Sequence, residues 1–386
     1  MRYNFDKVID RSGTSAEKVE GLKHIWGRTD LIPLWVADMD FATAPFVTDA
    51  IRKRCENEVL GYTGKPDSYY NAIINWVKQR YDLVVAKEMI NFVPGIVPGI
   101  GMAMNCFTQK GDKVMIQPPV YHPFAWVTTR NERTLVTNPL KWENGMYRMD
   151  LDTFREQIKG CKLFILCNPH NPGGVVWTEA ELRAIADICY DEKVLVFSDE
   201  IHADLTLPPH THRPFATVSE KARMNSVTFM SPSKAFNMPG LSASHALIFN
   251  EDLRKRFRIY MDAGELDMGH VFAFLSVEAA YSHGTEWLDQ CLAYIQGNID
   301  FVDDFLKNHA PKIKAIRPGA SYLVWLDCRE LKLSQKDLNE FFVDKAHLAL
   351  NDGEMFGKEG IGFMRLNVAS PRCIIEKAMK QLADAY

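Results

Sequence analysis

The sequence predicts an α/β protein with a large domain built on a mostly parallel sheet between helices and a smaller α+β domain. Short apolar, β-rich segments alternate with amphipathic helical segments along most of the 386-residue chain, a pattern typical of a parallel sheet with helices on its faces. From about residue 286 a long helix, separated strands and a terminal helix follow. At about 150 residues per domain, the length also favours two domains.

The predicted large domain spans residues 45–285, and residues 1–44 and 286–386 are predicted to form the small domain. Hydrophobic periodicity and start signals predict its helices at 44–58, 67–82, 97–107, 150–159 and 178–190. Its β-rich segments lie at 113–116, 162–167, 194–198, 226–230 and 246–249. In the small domain we expect a helix over 287–308, strands over 322–326 and 362–366, and a terminal helix over 372–385.

Charge and composition exclude several classes of protein. The 45 basic and 49 acidic residues leave a net charge of −4, which is too close to balance to favour nucleic acid or anionic lipid as a partner. No apolar run approaches the roughly 20 residues of a membrane helix, and the first residues lack the apolar core of a signal peptide. We therefore expect a cytoplasmic protein that acts on a small molecule, without a nucleic-acid or membrane partner.

The eight cysteines include no C-x-x-C pair and lie mostly in apolar segments. They are interpreted as small buried hydrophobic residues in a reducing compartment. His210 and His212 lie in a proline-rich stretch with no further candidate metal ligands nearby. The sequence therefore predicts no metal site.

Chemically distinctive residues occur at the ends of four predicted elements. A loop rich in proline and glycine, 168–174, follows one strand and contains Asn171; Asp199 follows the next strand, and Lys234 follows another. A glycine-bearing turn before the helix at 97–107 would present free N–H groups to an anion. Each feature alone also suits a purely structural role. Because the carboxyl ends of parallel strands meet at one edge of a sheet, we expect the four to form one site.

An amine nucleophile, a carboxylate, an amide and an anion cradle together match the needs of one cofactor, pyridoxal 5′-phosphate. Its aldehyde requires a lysine, its ring nitrogen stays protonated against a carboxylate, its O3′ needs a hydrogen-bond donor, and its phosphate needs N–H and hydroxyl groups. A lysine in a desolvated position can serve as the amine.

The sequence resembles fold-type I pyridoxal-phosphate enzymes, and within the class I/II aminotransferase superfamily it is similar to the MalY/PatB-type cystathionine β-lyases, or C–S lyases. The resemblance runs nearly end to end and is carried by segments 11–14, 33–41, 61–63, 118–124, 167–172, 198–202, 231–237 and 365–367. Segment 35–41 and the tetrapeptide 199–202 are specific to this group. The resemblance implies an aspartate-aminotransferase-like fold.

The resemblance also implies roles for individual residues. Lys234 would be the Schiff-base lysine, Asp199 the partner of the pyridine nitrogen, and Tyr121 a side chain stacked on the cofactor ring. Asn171 would contact O3′ and the substrate carboxylate. Arg365 would clamp the α-carboxylate of an amino-acid substrate, a task suited to its planar fork.

Further cofactor contacts follow from the same resemblance. The phosphate ligands would be Ile96, Val97, Ser231 and Ser233. Tyr62 would reach the phosphate of the neighbouring subunit, which implies a homodimer with shared sites. His202 stands where related aminotransferases place a tyrosine, and Ser242 where many of them place an arginine. Both differences fit the lyase group. The sequence also departs from the family's usual residues at 18–20 and 172–175, and these departures bear on substrate preference.

The function expected from the resemblance is β-elimination of cysteine S-conjugates such as cystathionine to a thiol, pyruvate and ammonia. An aminotransferase shares the early steps, and the sequence separates the two activities poorly. A third interpretation is a regulatory protein that binds a protein partner on the same fold. The preferred substrate stays open among cystathionine, cystine and smaller S-alkyl cysteines.

Overall fold

The computed structural model describes residues 2–386. Its strands are β1 (Ile32–Pro33), β2 (Ile90–Val93), β3 (Lys113–Ile116), β4 (Thr134–Thr137), β5 (Lys141–Glu143), β6 (Met146–Arg148), β7 (Cys161–Cys167), β8 (Leu195–Asp199), β9 (Ser226–Met230), β10 (Ser244–Leu247), β11 (Lys314–Ile316), β12 (Leu323–Asp327), β13 (Leu348–Ala349), β14 (Asn351–Asp352) and β15 (Phe363–Asn367).

The α-helices are α1 (Glu17–Trp26), α2 (Pro45–Cys55), α3 (Asp67–Tyr81), α4 (Ile96–Phe107), α5 (Pro123–Arg130), α6 (Leu151–Gln157), α7 (Glu179–Asp191), α8 (Glu220–Met224), α9 (Glu251–Ala263), α10 (Val271–His283), α11 (Thr285–His309), α12 (Gln335–Glu340) and α13 (Arg372–Ala385). Within the described residues, none of these helices is both long enough and apolar enough to cross a membrane.

A seven-stranded sheet in the order β2-β10-β9-β8-β7-β3-β4 forms the centre of the protein. Neighbouring strands from β9 to β4 are parallel, whereas β10 runs antiparallel to both of its neighbours. The predicted α/β class and the mostly parallel sheet are confirmed. The segment predicted as a strand at 246–249 begins two residues earlier and runs antiparallel, because the connection from β9 holds no long helix that could carry the chain back for a parallel return.

Helices cover both faces of this sheet because its strands are apolar on both sides. On β7, Leu163 and Ile165 belong to the cluster that packs under α4, α5 and α9. Phe164 and Leu166 belong to the cluster under α6, α7 and α8. Strands buried on both faces read as continuous apolar runs, which is the pattern seen in the sequence.

A smaller antiparallel sheet, in the order β11-β12-β15-β14, lies in the C-terminal part of the chain. It falls after the predicted boundary near residue 285, and all strands of the large sheet fall before it. The N-terminal segment joins the C-terminal part through the parallel pairing of β1 with β13. The exact domain limits stay a prediction.

The apolar cores do not separate at that boundary. The largest buried cluster includes Phe5, Trp76 and Leu382. Trp325 and Phe363 of the smaller sheet pack in the cluster that also holds β7 residues, and their rings stack with centroids 5.2 Å apart. Side chains of the small sheet are therefore positioned directly against the large one.

The β5–β6 hairpin was not predicted, although its turn carries a clear signal. Asn144 and Gly145 connect the two strands with φ angles of 51° and 80°. Asn-Gly is the preferred pair for a tight hairpin turn with two positive φ angles.

The loop over residues 353–360 consists of two short helical turns that pack against the small sheet. It leaves no room for a side chain at Gly353. A Cβ atom there would lie far inside contact distance of the carbonyl oxygens of Gly360 and Phe363. The loop also accepts a hydrogen bond at Phe356 O from Val120 N, 2.9 Å away. Its close packing therefore fixes one wall of the region between the two sheets.

We expect Gly353→Ala to destabilise the protein by about 3 kcal/mol, because the methyl group forces two backbone segments apart. Thermal unfolding followed by circular dichroism measures the loss. Gly240→Ala is the matched control, since a Cβ atom at Gly240 meets nothing within 4 Å. Equal melting temperatures for the two variants would contradict the prediction.

Candidate active site

A cavity of about 210 Å³ opens at the carboxyl edge of the large sheet. Its walls come from the segments that follow β2, β7, β8 and β9, as expected for a site in a parallel sheet. Eight of the predicted site residues line it: Ile96, Val97, Tyr121, Asn171, Asp199, His202, Ser233 and Lys234.

Strand register explains why three of these residues meet. β7, β8 and β9 are neighbouring parallel strands, with Cys167 opposite Asp199 and Asp199 opposite Phe229. The three strands therefore end at the same level. Asn171 and Lys234 follow β7 and β9 within a few residues, so both approach the Asp199 carboxyl from either side.

Lys234 provides an amine whose charge is weakened by its surroundings. Burial lowers its pKa to about 8; the Arg365 charge also lowers it, while the carboxylates of Asp38 and Asp199 oppose the shift. Its Nζ donates a hydrogen bond to the carbonyl oxygen of Ala37 at 2.5 Å. A desolvated lysine of this kind carries a useful neutral fraction near pH 7, as a nucleophile or base requires.

Asp199 provides a carboxyl group at the base of the same cavity. The side chain is 3% exposed, and burial raises its pKa to about 7 despite a hydrogen bond from the Ile201 N–H at 3.0 Å. A buried carboxylate is costly unless a positive or proton-bearing group pairs with it. The position therefore suits a ligand that brings a protonated nitrogen.

Arg365 provides a buried guanidinium that is held by neutral oxygens. Nη1 donates to Asn171 Oδ1 at 3.1 Å, and Nη2 donates to Trp35 O at 3.2 Å and Asn351 Oδ1 at 2.5 Å. Burial lowers its pKa to about 10. Arg365 is 4% exposed, and its hydrogen-bond acceptors among the described residues are amide and carbonyl oxygens rather than carboxylates. A buried cation in this setting favours an anionic ligand such as a carboxylate.

The start of α4 forms the anion-binding wall of the cavity. Ile96 and Val97 are its first residues, and the N–H groups at the start of a helix lack intrahelical acceptors. The helix dipole adds positive potential there. With the Ser233 hydroxyl on the same wall, these donors fit a phosphate group.

Ser231 lies behind this wall rather than on it. Its hydroxyl lies 2.7 Å from the carbonyl oxygen of Ala243, to which it donates, and 2.9 Å from Ser233 Oγ. Ser231 is absent from the residues that line the cavity. The structure thus places Ser231 where it orients Ser233.

Tyr121 and His202 contribute rings to the cavity wall. Burial lowers the pKa of His202 to about 3, with the charges of Lys234 and Arg365 adding to the effect, so its imidazole is neutral. Its buried Nδ1 has no hydrogen-bond partner among the described residues. His202 therefore has a free ring nitrogen close to the cofactor cavity.

Three predicted site residues do not line the cavity: Arg365 and Ser231 contact residues that do, whereas Tyr62 lines a separate surface groove. Tyr62 is 97% exposed, on the loop between α2 and α3. Its neighbours across a surface groove are residues 267–271. A role for Tyr62 in catalysis requires a second chain.

Several residues of the site were not predicted. The carbonyl oxygens of Trp35 and Ala37, the amide of Asn351 and the 242–244 segment all contact or line the site. Segment 35–41 was a recognisable motif, so its presence at the site had a sequence signal. A backbone carbonyl leaves no side-chain signal, and the other contacts depend on tertiary packing.

Residues 29–382 match the family model described as aminotransferase class I and II. The chain belongs to this family. Within it, the chain is 38% identical to cystathionine beta-lyase PatB of Bacillus subtilis (strain 168), over 99% of both proteins. This places the chain in the PatB-like group of the aminotransferase family and confirms the predicted resemblance.

Solved structures agree with this placement. Cystalysin from Treponema denticola, whose crystal structure contains a pyridoxal 5′-phosphate cofactor, superposes with a TM-score of 0.96 at 34% identity and covers 100% of this chain and 99% of its own. The pyridoxal-phosphate-bound C–S lyase from Staphylococcus hominis gives a TM-score of 0.92 at 35% identity, over 100% and 98% of the two chains. The aminotransferase-like fold prediction is confirmed.

The lowered pKa of Lys234 in this PatB-like chain is directly measurable. In the full-length protein freed of cofactor, we expect acetic anhydride to label Lys234 with a half-maximal rate at about pH 8. Mass spectrometry of the peptide that contains Lys234 gives the rate at each pH. Exposed Lys159 serves as the internal control, and a midpoint for Lys234 at or above that of Lys159 would contradict the prediction.

Proposed function

We propose that this chain is a pyridoxal-phosphate-dependent lyase that cleaves the carbon–sulfur bond of cysteine S-conjugates by β-elimination. One water is consumed, and the products are a thiol, pyruvate and ammonia. The observation that carries this proposal is the 38% identity with a cystathionine β-lyase over 99% of both proteins, in a chain whose cavity is lined by an amine and a carboxyl and has a buried guanidinium hydrogen-bonded to its wall at Asn171.

The residues at the cavity fit pyridoxal phosphate. The N–H groups of Ile96 and Val97 and the hydroxyl of Ser233 would hold the phosphate. Asp199 would keep a proton on the ring nitrogen, and Lys234 is the amine that the cofactor aldehyde requires. When bound, the cofactor supplies an aldehyde that condenses with amines and a ring that accepts the electron pair left at the substrate Cα.

Substrate orientation falls to Arg365 and Asn171. The guanidinium would bind the α-carboxylate in a bidentate manner while keeping its hydrogen bond to the Asn171 amide. This fixes the Cα–H bond of the substrate relative to Lys234. Tyr121 would limit movement of the cofactor ring from one side.

Lys234 Nζ would then move the proton. As a neutral amine of lowered pKa it can accept the proton from the substrate Cα. Departure of the thiolate from Cβ completes the elimination, and a proton restores the thiol. The Ala37 carbonyl, which already accepts a hydrogen bond from Nζ, remains an acceptor for the protonated amine.

The test is a comparison of two reactions with purified holoenzyme. One incubation contains L-cystathionine and measures pyruvate; the other contains an amino acid with 2-oxoglutarate and measures glutamate. We expect pyruvate from the first without glutamate from the second, and no turnover in Lys234→Ala. Glutamate formation without pyruvate would instead identify an aminotransferase.

Asp199→Asn tests the role of the carboxyl group. We expect a kcat loss on the order of 10² or more, because the amide cannot provide the negative charge that keeps the ring nitrogen protonated. Steady-state kinetics on the folded, cofactor-loaded variant measure the change. A loss confined to KM would show that Asp199 contributes to binding alone.

We also propose an active homodimer with shared sites. Tyr62 and the adjacent Val59 and Leu60 are 97%, 72% and 60% exposed, and clustered exposed apolar side chains often mark an interface. In a two-fold dimer each Tyr62 hydroxyl would donate to the phosphate bound by the other chain.

We also propose a cytoplasmic location. Five buried, unpaired cysteines support a reducing compartment.

A mixed dimer of Tyr62→Phe and Lys234→Ala chains tests this arrangement. If Tyr62 acts across the interface, one site carries both defects and the other neither, so one fully active site survives per dimer. The Tyr62→Phe homodimer should hold the cofactor more weakly by about 0.5–1.5 kcal/mol, the net value of one hydrogen bond. A mixed dimer in which both sites are impaired would show that Tyr62 acts within its own chain.

We further propose the domain limits of 45–285 for the large domain and 1–44 with 286–386 for the small one. The separate sheets on either side of residue 285 support this division.

A further inference from the structure

Segment 35–41 contributes Ala37 to the cavity wall and contacts the cationic side chains of Arg365 and Lys234 through backbone oxygens. The Trp35 carbonyl accepts from Arg365 Nη2 at 3.2 Å, and the Ala37 carbonyl accepts from Lys234 Nζ at 2.5 Å. Tyr322 also donates its hydroxyl to the Ala37 carbonyl, at 2.9 Å. The position of this short segment thus determines where the amine and the guanidinium lie relative to each other.

Two asparagine side chains hold the backbone of the segment in place. Asn367 Nδ2 donates to the carbonyls of Val36 and Asp38, both at 2.7 Å. Asn237 Nδ2 donates to the carbonyls of Met39 and Phe41, at 3.0 and 2.7 Å. Asn237 lies three residues after Lys234, so the segment is tied to the same loop as the reactive amine.

The two aspartates of the segment, Asp38 and Asp40, form a compact ion cluster with Lys18 and Arg11. Lys18 is fully buried, and its Nζ lies 2.8 Å from Asp40 Oδ2 and 3.5 Å from Asp38 Oδ1. It also donates to the backbone carbonyl of Asp38 at 3.3 Å. Arg11 contacts the same two carboxylates, at 2.6 Å on Asp38 and 3.1 Å on Asp40.

The cluster is balanced in charge and is separate from the cavity wall. It combines two cations with two carboxylates, and none of its four side chains lines the cavity, whereas Ala37 does. Lys18 is fully buried, and the other three side chains are 13–24% exposed. Removing one partner therefore leaves an uncompensated, largely desolvated charge beside the segment. The motif 35–41 therefore carries two charged residues, Asp38 and Asp40, whose contacts the proposed reaction has not used.

We propose that the cluster of Lys18, Arg11, Asp38 and Asp40 positions segment 35–41, so that the Ala37 carbonyl holds the Lys234 amine and the Asp38 carboxylate sets the charge that this amine carries. Asp38 and Lys18 are positioning residues here. The inference rests on the proposed function only in taking Lys234 as the reactive amine.

The charges that face Lys234 have opposing effects. Asp38 on the segment and Asp199 at the end of β8 favour the ammonium form, whereas Arg365 on β15 and burial favour the neutral amine. His202 is neutral beside it, and Tyr322 is un-ionised because burial raises its pKa. Lys18 and Arg11 offset part of the Asp38 charge, since both contact its carboxylate.

The proposal predicts opposite changes in two variants. Asp38→Asn keeps the shape of the side chain and removes a negative charge, so the labelling midpoint of Lys234 should fall. Lys18→Met keeps the apolar stem and leaves the carboxylates less compensated, so the midpoint should rise. A change of about one pH unit, or tenfold in labelling rate below the midpoint, is expected on removing one charge that acts on the amine. The double variant should return toward the wild-type midpoint.

The experiment uses acetic anhydride labelling of the full-length, cofactor-free chain across pH, with the Lys234 peptide quantified by mass spectrometry. The surface variants Lys159→Met and Asp187→Asn are matched controls that should leave the midpoint unchanged; both side chains are about half exposed. If Lys18→Met does not fold, Asp38→Asn alone decides the outcome. A lower midpoint in Asp38→Asn together with a higher midpoint in Lys18→Met supports the proposal.

An unchanged or raised midpoint in Asp38→Asn, or a lowered midpoint in Lys18→Met, would overturn it. Failure of the proposed function is seen separately, because labelling requires neither cofactor nor turnover. A chain that produces no pyruvate from L-cystathionine and still shows opposite shifts would retain the charge-setting cluster without the lyase activity.

Discussion

Desolvation of charged groups is the constraint on which the candidate active site depends. An amine and a carboxyl line the cavity, and a guanidinium is hydrogen-bonded to Asn171 on its wall. Their pKa values lie at about 8, 7 and 10, each displaced toward the neutral form by burial. Burying such groups costs folding free energy unless a partner compensates. The displaced values explain why this edge of the sheet suits a cofactor with a protonated ring nitrogen and a substrate with a carboxylate.

The same constraint explains the neutral contacts around Arg365. Its guanidinium is fixed by the side-chain oxygens of Asn171 and Asn351 and by the Trp35 carbonyl. The Phe356 ring packs on its face, with Arg365 Cζ 4.8 Å from the ring centroid. These groups position the cation without cancelling its charge. A carboxylate neighbour would have held it equally well and would have competed with a substrate.

Packing between the two sheets brings these parts together. Arg365 lies on β15 of the small sheet, while Lys234 and Asp199 follow strands of the large one. The stacked rings of Trp325 and Phe363, and the loop that carries Phe356, fill the space between the sheets. The distance between the Arg365 guanidinium and the Lys234 amine is thus set by a shared core rather than by either sheet alone.

The amino-acid sequence determined the α/β class, the positions of seven of the thirteen α-helices and seven of the fifteen strands within residues 2–386, and the cavity residues that follow strands. Apolar runs, helical spacing and strand-end polar residues are local signals, so Asp199, Asn171 and Lys234 could be placed from them and from motif resemblance. The antiparallel direction of β10, the position of Ser231 behind Ser233 and the use of the Trp35 and Ala37 carbonyls were decided by the tertiary structure. These features depend on which segments meet in space, and a backbone oxygen carries no residue-specific signal. Likewise, the burial of Lys18 between Asp38 and Asp40 joins residues about 20 positions apart, and only packing could make that lysine a neighbour of the site.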